Sequence, residues 1–190
     1  MRTTRNPRAN RHHYCEILYV YSGESDFHVQ DRCLKLREGD VVVVGSHLYH
    51  RIFTAPRERI RVAALFFEPE IISKASNGES AEYLAAFSQQ GPDFPHVIPS
   101  GESLTGEVFN LMRRIQGELP AGTSRACLAV RTYLRMILML LVNYYATTLD
   151  TQAKLYRKQQ DLNRLKPSLS ISNKISRNLF VWKQRPNSVP

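Results

Sequence analysis

The sequence has few cysteines and no long uninterrupted apolar run. Its three cysteines, Cys15, Cys33 and Cys127, are odd in number and form no CxxC pair. This pattern indicates neither a disulfide framework nor a structural zinc site, so we expect buried free thiols. The longest apolar runs, residues 137–142 and 41–44, are far shorter than the ~18 residues of a membrane span, and no signal-peptide segment opens the chain. We therefore expect a soluble cytoplasmic protein with no membrane partner.

Acidic residues are scarce at both ends of the chain. Residues 1–13 contain four arginines and no acid, and residues 151–190 contain nine basic residues and one acid. Between them, residues 14–150 contain 13 basic and 16 acidic residues, although the net charge of the whole is +9. This distribution differs from that of a nucleic-acid-binding fold with one basic face. We interpret the ends as solvated tails, the alternative being that the C-terminal region once adjoined something that touches DNA.

The first half of the chain has the pattern of short strands. Apolar residues alternate or run for four to nine positions, and polar or glycine-containing turns separate them at intervals of 8–12 residues, which is typical of a sandwich or barrel. The predicted strands lie around residues 15–21, 27–29, 33–36, 41–44 and 59–67.

The second half has helical periodicity. A first helix is predicted from Ser103, a possible N-cap, to Pro120, and a longer one is predicted to start at Thr123 or Ser124. The longer helix is apolar over so much of its circumference that it needs two partners: the β body, and either the preceding helix or the same helix of a second subunit. We expect its apolar stripe to serve dimerisation, through Val130, Leu134, Ile137, Leu138, Leu141 and Tyr145.

Three titratable residues stand out by their position on the predicted strands. His12 and Glu16 are four residues apart, which places them on one face of a strand, and His50 follows one strand later. Two histidines and a carboxylate suit a divalent metal if the fold brings them together. The alternative, which we favour, is that the three serve separate structural purposes and that no metal or other cofactor binds. His47 and His50 are a further candidate pair, although two histidines three residues apart in a loop arise often by chance.

Two stretches resemble the cupin half-motifs of AraC-family transcription regulators. They are residues 12–23 (HHYCEILYVYSG) and residues 36–44 (LREGDVVVV) followed by His50. The similarity continues through residues 61–71 and the two helices within residues 103–147. Those regulators combine an effector-binding cupin barrel, helices that dimerise, and a DNA-binding domain with two helix-turn-helix units. The resemblance implies a small organic effector in the barrel rather than catalysis.

The sequence departs from the family pattern in three places. Asn10 stands where a metal-binding cupin has its first histidine, and Gly45 replaces the usual proline. The family resemblance therefore implies an incomplete metal set. After Pro167 only 23 residues remain, too few for two helix-turn-helix units. We expect the DNA-binding half to be missing, as in a fragment, a frameshift product or a natural short form.

These observations predict an α+β protein with an antiparallel, jelly-roll-like cupin barrel followed by two to three helices. The expected divisions are a barrel with a basic arm (residues 1–100), a helical dimerisation region (101–167) and an irregular tail (168–190). The proposed effector-binding residues are Tyr14, Glu16, Leu18, His28 and His50.

The predicted function is ligand sensing and dimerisation, with no enzymatic activity. The expected partners are a small-molecule effector and a second subunit, either another copy or an intact regulator, and DNA only through the absent domain. A small metal-dependent cupin enzyme, such as a dioxygenase or isomerase using His12, Glu16 and His50, is the alternative. A purely structural protein with a filled barrel is a third possibility.

Overall fold

The computed structural model describes residues 11–53, 59–73, 80–88, 90–148 and 182–184, which form two antiparallel β-sheets and a set of helices. This is the α+β class that the sequence predicts. The strands are β1 (Cys15–Ser22), β2 (Ser25–Val29), β3 (Arg32–Leu36), β4 (Val41–Val44), β5 (His50–Phe53), β6 (Arg61–Phe67), β7 (Val97–Ile98) and β8 (Trp182–Gln184). The helices are α1 (Glu70–Ser73), α2 (Ser80–Tyr83), α3 (Ala85–Ser88), α4 (Leu104–Glu118) and α5 (Ser124–Thr148), with a 3₁₀ turn at Leu119–Ala121.

The strands form a five-stranded and a three-stranded sheet. The first has the order β7-β4-β1-β6-β8 and the second the order β3-β2-β5. Among the described residues no strand pairing joins the two sheets, so the closed barrel predicted from the sequence is not observed as one continuous sheet. The turn between β1 and β2 needs a glycine at position 23, because its φ is +86°. A Cβ atom on Gly23 would also overlap the Arg59 carbonyl oxygen.

The five-stranded sheet is the middle layer of three. One of its faces packs on the three-stranded sheet through Leu18, Val20, Val42, Val44 and Ala64, together with Phe27, Val29 and Leu36 from the opposite sheet. Its other face packs on the helices through Ile17, Val43 and Leu65. The central strands are apolar on both faces because each face lines a separate core.

Helix α5 packs against its own chain through the stripe that was predicted to join two subunits. Val130, Leu134, Ile137, Leu138, Leu141 and Tyr145 are all 3% exposed or less, in the cluster with the sheet and α4. In the folded chain these six side chains thus pack against the sheet and α4, and their role in dimerisation stays a prediction. The helix does have two partners, as predicted, but both belong to the same chain.

Of the two N-caps predicted from the sequence, the structure shows one. Thr123 caps α5, since its hydroxyl oxygen accepts a hydrogen bond from the Ala126 amide at 3.1 Å. Ser103 makes no such bond at the start of α4 and has helical backbone angles, so the predicted cap is wrong there. By length and composition α5 is also long and apolar enough to cross a membrane, with 25 residues and a hydropathy of 1.5, but core helices of soluble proteins meet the same test.

Two further expectations about the chain differ from what is observed. Of the three thiols only Cys15 is buried, while Cys33 and Cys127 are exposed. Within the tail expected to be irregular, Trp182–Gln184 form β8 and pair with β6. The last part of the helical region expected up to residue 167 lies outside the described residues, as does Asn10.

Candidate functional site

The fold brings His12, Glu16 and His50 together at one end of the space between the sheets. His12 precedes β1, Glu16 lies on the face of β1 that also carries Leu18 and Val20, and His50 begins β5. Because β5 pairs with β2 so that His50 lies opposite Val29, the His50 side chain shares the inward face with Val29. We call these three residues the polar triad.

The polar triad is compact and mostly buried. Nε2 of His12 lies 3.2 Å from Oε2 of Glu16, and Nε2 of His50 lies 2.8 Å from the same oxygen. Glu16 is 5% and His50 4% exposed, whereas His12 is half-buried. Among the described residues Nε2 of His50 is buried and makes no hydrogen bond, although the Glu16 oxygen is its close neighbour.

The second nitrogen of each imidazole is held by the backbone. Nδ1 of His12 donates to the Tyr14 carbonyl at 3.0 Å, and Nδ1 of His50 donates to the Leu48 carbonyl at 2.9 Å. A carbonyl oxygen can only accept, so each of these bonds places a proton on Nδ1. Nε2 of His12 also faces an acceptor, the Glu16 carboxylate, so the hydrogen bond between them requires the protonated form of His12, which has an N–H on both nitrogens.

The polar triad shifts the ionisation of its members. Burial disfavours the charged form of Glu16, but the contacts with His12 and His50 outweigh it, so the pKa of Glu16 lies below its ordinary value. The hydrogen bond to Glu16 raises the pKa of His12, against the effect of burial. At neutral pH the carboxylate is therefore ionised in a mostly apolar surrounding.

The three donor groups fit a divalent metal ion. Their ligand atoms lie within 4.8 Å of one another, and the backbone bonds at Nδ1 are the support that metal-binding histidines usually have. First-row metals bind such donors at about 2.1 Å, which places donors at right angles about 3 Å apart. The observed spacings and the hydrogen-bond-deficient Nε2 of His50 agree with that requirement. An ion held by His12, Glu16 and His50 would supply Lewis acidity or an anchor for a ligand oxygen.

Aromatic rings lie next to the polar triad, and one guanidinium stacks on an aromatic ring of the loop before His50. The rings of Tyr14 and Phe66 lie 5.9 and 5.6 Å from that of His12, centroid to centroid. Arg11 lies over the Tyr49 ring at 5.1 Å. A small molecule at this end of the sheets would thus meet flat apolar surfaces and a few polar groups, the usual composition of a ligand site.

The loop before β5 is fixed to the segment before β1. The His47 amide donates to the His12 carbonyl at 2.7 Å, and Arg11 Nε donates to the His47 carbonyl at 3.2 Å. The His47 side chain is exposed and its φ is +66°, so His47 contributes backbone contacts. The candidate pairing of His47 with His50 as ligands is not seen.

The structure separates the five proposed effector-binding residues. Glu16 and His50 belong to the polar triad, Tyr14 contacts it, and Leu18 is buried in the apolar cluster between the sheets. His28 lies on the opposite, outer face of its strand, where its Nε2 is 3.6 Å from the Cys33 sulfur. His28 is therefore not brought to the polar triad, because Phe27 and Val29 take the inward positions of β2, and its role in ligand binding stays a prediction.

Some residues that shape the site and its supporting loop have no signal in the sequence that would have identified them. Phe66 reaches the polar triad only because β6 pairs with β1, which places Phe66 beside Glu16.

Gln90 accepts a hydrogen bond from the Gly45 amide at 2.7 Å and donates to the Ala86 carbonyl at 2.8 Å. A proline at position 45 has no amide hydrogen to donate, so the departure from the family pattern has a local physical basis.

Comparison with known proteins places the polar triad within a recognised domain type. Residues 3–66 match the family model described as "Cupin domain", which covers about a third of the chain and includes all three triad residues. This part of the chain is therefore similar to a cupin domain, in agreement with the antiparallel sheets. A comparison with curated proteins found no match.

Among solved structures, the chain is similar to a transcriptional activator. The crystal structure of the AraC-like transcriptional activator CuxR aligns over 84% of this chain and 70% of that chain, with 12% identity and a TM-score of 0.42. A TM-score below 0.5 at this identity supports no conclusion about fold or function.

Proposed function

We propose that the chain is the ligand-sensing module of an AraC-type transcription regulator, located in the cytoplasm and without enzymatic activity. The observation that carries the proposal is the polar triad, which lies at one end of an apolar interior beneath an aromatic rim. The sequence motifs shared with AraC-type regulators support the assignment to this class. The effector is a small organic molecule whose polar group binds at His12, Glu16 and His50.

The middle of the inter-sheet space is occupied by the protein's own side chains. Phe27, Val29, Leu36, Val42 and Val44 are at most 1% exposed there. The proposed effector therefore binds at the triad end and reaches only the rim residues Tyr14 and Phe66, rather than the centre of the sheets.

A connected set of hydrogen bonds leads from the site to the helices. β4 ends at the loop that leads to His50, and the Val43 carbonyl of β4 accepts a hydrogen bond from His96 at 2.9 Å. The neighbouring Pro95 carbonyl accepts one from the Tyr145 hydroxyl of α5 at 3.0 Å. An effector signals through this set only if it binds one arrangement of the loop and α5 more tightly than another.

A thermal-shift screen with two histidine variants tests the proposal. Sugars, amino acids and small aromatic acids are added to the wild type, to His50→Ala and to His28→Ala, the matched control on the outer face. A true effector at 100 times its dissociation constant adds about 2.7 kcal/mol of stability. We expect that shift in the wild type and in His28→Ala, and its loss in His50→Ala. A compound whose shift survives in His50→Ala contradicts the proposed site.

A metal-dependent cupin enzyme is the second candidate function, because the polar triad offers three suitable donors. Metal analysis of the purified protein, and of the protein after addition of Fe²⁺, Mn²⁺ or Ni²⁺, separates the two candidates. Stoichiometric metal that is lost in His50→Ala and retained in His28→Ala would support the enzyme. An effector shift that is unchanged by chelation supports the sensing module.

A further inference from the structure

The outer face of the three-stranded sheet carries a thiol and an imidazole in contact. β2 and β3 are joined by a two-residue turn that begins at Gln30, which takes the positive φ (+51°) that tight hairpin turns favour. The turn fixes the register of the two strands, so that His28 lies opposite Cys33. Residues directly opposite one another share a face of the sheet. As a result, Sγ of Cys33 lies 3.6 Å from Nε2 of His28.

The three cysteines differ in what surrounds their thiols. Cys15 is buried, and burial raises the pKa of its thiol to about 12, so this thiol stays protonated and unreactive. Cys127 is exposed on α5, a helix that contains no histidine. Of the two exposed thiols in the described part of the chain, that of Cys33 has an imidazole within hydrogen-bond distance. A nucleophile with a base in reach is the arrangement of an activated cysteine.

The imidazole is in turn held by the neighbouring strand. The ring of Phe53 on β5 lies edge-on to the ring of His28, with 6.3 Å between the centroids. Because β5 and β3 flank β2 on its two sides, Phe53 and Cys33 approach His28 from opposite directions. The base is therefore fixed in place, while the sulfur of Cys33 remains open to solvent.

The strand residues around this pair are mostly basic. Arg51 of β5 lies opposite His28. Lys35 is two residues from Cys33 and therefore on the same face of β3, where its ammonium lies 2.6 Å from the carboxylate of Asp26. Among the strand residues of this face the two cations outnumber the one carboxylate. A reagent that carries carboxylates is attracted to such a surface.

We propose that Cys33 is a site of reversible modification by small disulfides that carry carboxylates, with His28 as the base. This modification goes beyond the proposed function and is independent of the polar triad, because the pair lies on the opposite face of the three-stranded sheet.

The reaction is a thiol–disulfide exchange. The thiol of Cys33 passes its proton to Nε2 of His28, and the sulfur attacks one sulfur atom of the reagent. The disulfide bond of the reagent breaks as the new disulfide bond to Cys33 forms. The other half of the reagent leaves as a thiolate and takes the proton from the imidazolium. The cysteine is oxidised and one half of the reagent is reduced, so no further oxidant is needed.

Mass spectrometry of the intact chain tests the site, with glutathione disulfide as the probe. Cys127→Ser retains the exposed thiol of Cys33, and Cys33→Ser retains that of Cys127. At neutral pH with excess reagent, one adduct is expected to form about tenfold faster in Cys127→Ser than in Cys33→Ser, and dithiothreitol is expected to remove it. Equal rates would overturn the proposal, because exposure alone would then account for the reaction.

Replacement of the base tests the role of His28. In the Cys127→Ser protein, His28→Asn is expected to slow the adduct at Cys33 by about tenfold or more. His47→Asn, the same change at an exposed histidine of another loop, is expected to leave the rate unchanged. Cys15 reports on folding in each variant, because it reacts only if the core opens. An unchanged rate in a folded His28→Asn variant contradicts the proposal.

A neutral reagent separates the base from the surface charge. Iodoacetamide also needs a deprotonated thiol, but it has no charge for the cations to attract. His28→Asn is expected to slow both reagents, whereas Arg51→Gln and added salt are expected to slow glutathione disulfide several-fold and to leave iodoacetamide unchanged. If neither Arg51→Gln nor salt slowed glutathione disulfide, the preference for reagents with carboxylates would be wrong.

Discussion

At the scale of single residues, Gly45 has one of the tightest surroundings in the chain. A Cβ atom there would overlap the Phe87 carbonyl oxygen and lie 3.0 Å from the Gln90 side-chain oxygen that accepts the Gly45 amide. We expect Gly45→Ala to lower the free energy of unfolding by about 1–3 kcal/mol, as overpacking usually does. Urea denaturation measures the change.

Gly117 of α4 is the control for that substitution. A Cβ atom at Gly117 meets nothing within 4 Å, so Gly117→Ala is expected to raise stability by about 0.5–1 kcal/mol through helix propensity. If Gly45→Ala and Gly117→Ala lowered the free energy of unfolding equally, the contacts with Phe87 and Gln90 would not be what restricts position 45.

His96 is expected to make stability depend on pH. Burial lowers its pKa, and the nearby charges of Arg32 and His50 act in the same direction, whereas the bond to the Val43 carbonyl opposes them. A histidine with a depressed folded pKa stabilises the fold above its unfolded value near 6.5. That contribution is lost as the pH falls towards the folded pKa, because the unfolded chain then binds the proton more readily.

The comparison with His96→Asn isolates this effect. Asparagine keeps a donor for the Val43 carbonyl but does not titrate. Between pH 7.5 and 5.5 the wild type is expected to lose more unfolding free energy in urea than His96→Asn does. His12, whose raised pKa acts in the opposite direction, contributes equally to both proteins. Parallel pH profiles would show that His96 does not carry the dependence.

The residues of the site differ in how far the sequence predicts them. The sequence predicts that His12 and Glu16 share one face of a strand, and it leaves open whether the fold brings His50 to them. In the structure His12 precedes β1, and the pairing of β5 with β2 brings His50 to Glu16. The sequence analysis placed His28 on the inward face of its strand, whereas the structure places it on the outer face. Either alternate set of residues in this strand could face inward, and the choice depends on tertiary packing that a single sequence does not show. Phe66 could not be foreseen, since its position depends on a strand paired across more than 40 residues of chain.

At the scale of elements, α5 has a buried face and an exposed face that are expected to differ in their effect on stability. Leu134 is fully buried in the helix–sheet core, and Met136 is 50% exposed on the opposite side. We expect Leu134→Ala to lower the free energy of unfolding by about 2–5 kcal/mol through a cavity. Met136→Ala is expected to change monomer stability by less than about 0.5 kcal/mol.

Urea denaturation measures the free energy of unfolding of both variants. Comparable losses from Leu134→Ala and Met136→Ala would contradict the division of α5 into two faces. The sequence predicted the existence of α5 and its need for two partners. It could not show that α4 and the sheet satisfy that need within one chain, because periodicity gives the width of an apolar stripe and not the identity of its partner.

At the scale of the whole molecule, the five-stranded sheet belongs to both hydrophobic clusters. β1 and β6 contribute Leu18 and Ala64 to the inter-sheet cluster and Ile17 and Leu65 to the helix-side cluster. If either cluster came apart, one face of β1 and β6 would therefore be exposed to solvent. We infer that the two clusters unfold together rather than as separate units.

Hydrogen exchange of a variant in the inter-sheet cluster tests this coupling. Phe27 is fully buried between the sheets and lies far along the chain from α5. Phe27→Leu is expected to speed exchange by a similar factor in β2 and in α5, because both exchange through the same global opening. If only β2, β3 and β5 lost protection, the three-stranded sheet would be a separately opening unit. In that case an effector at the polar triad would reach α5 only through the contacts of His96 and Tyr145.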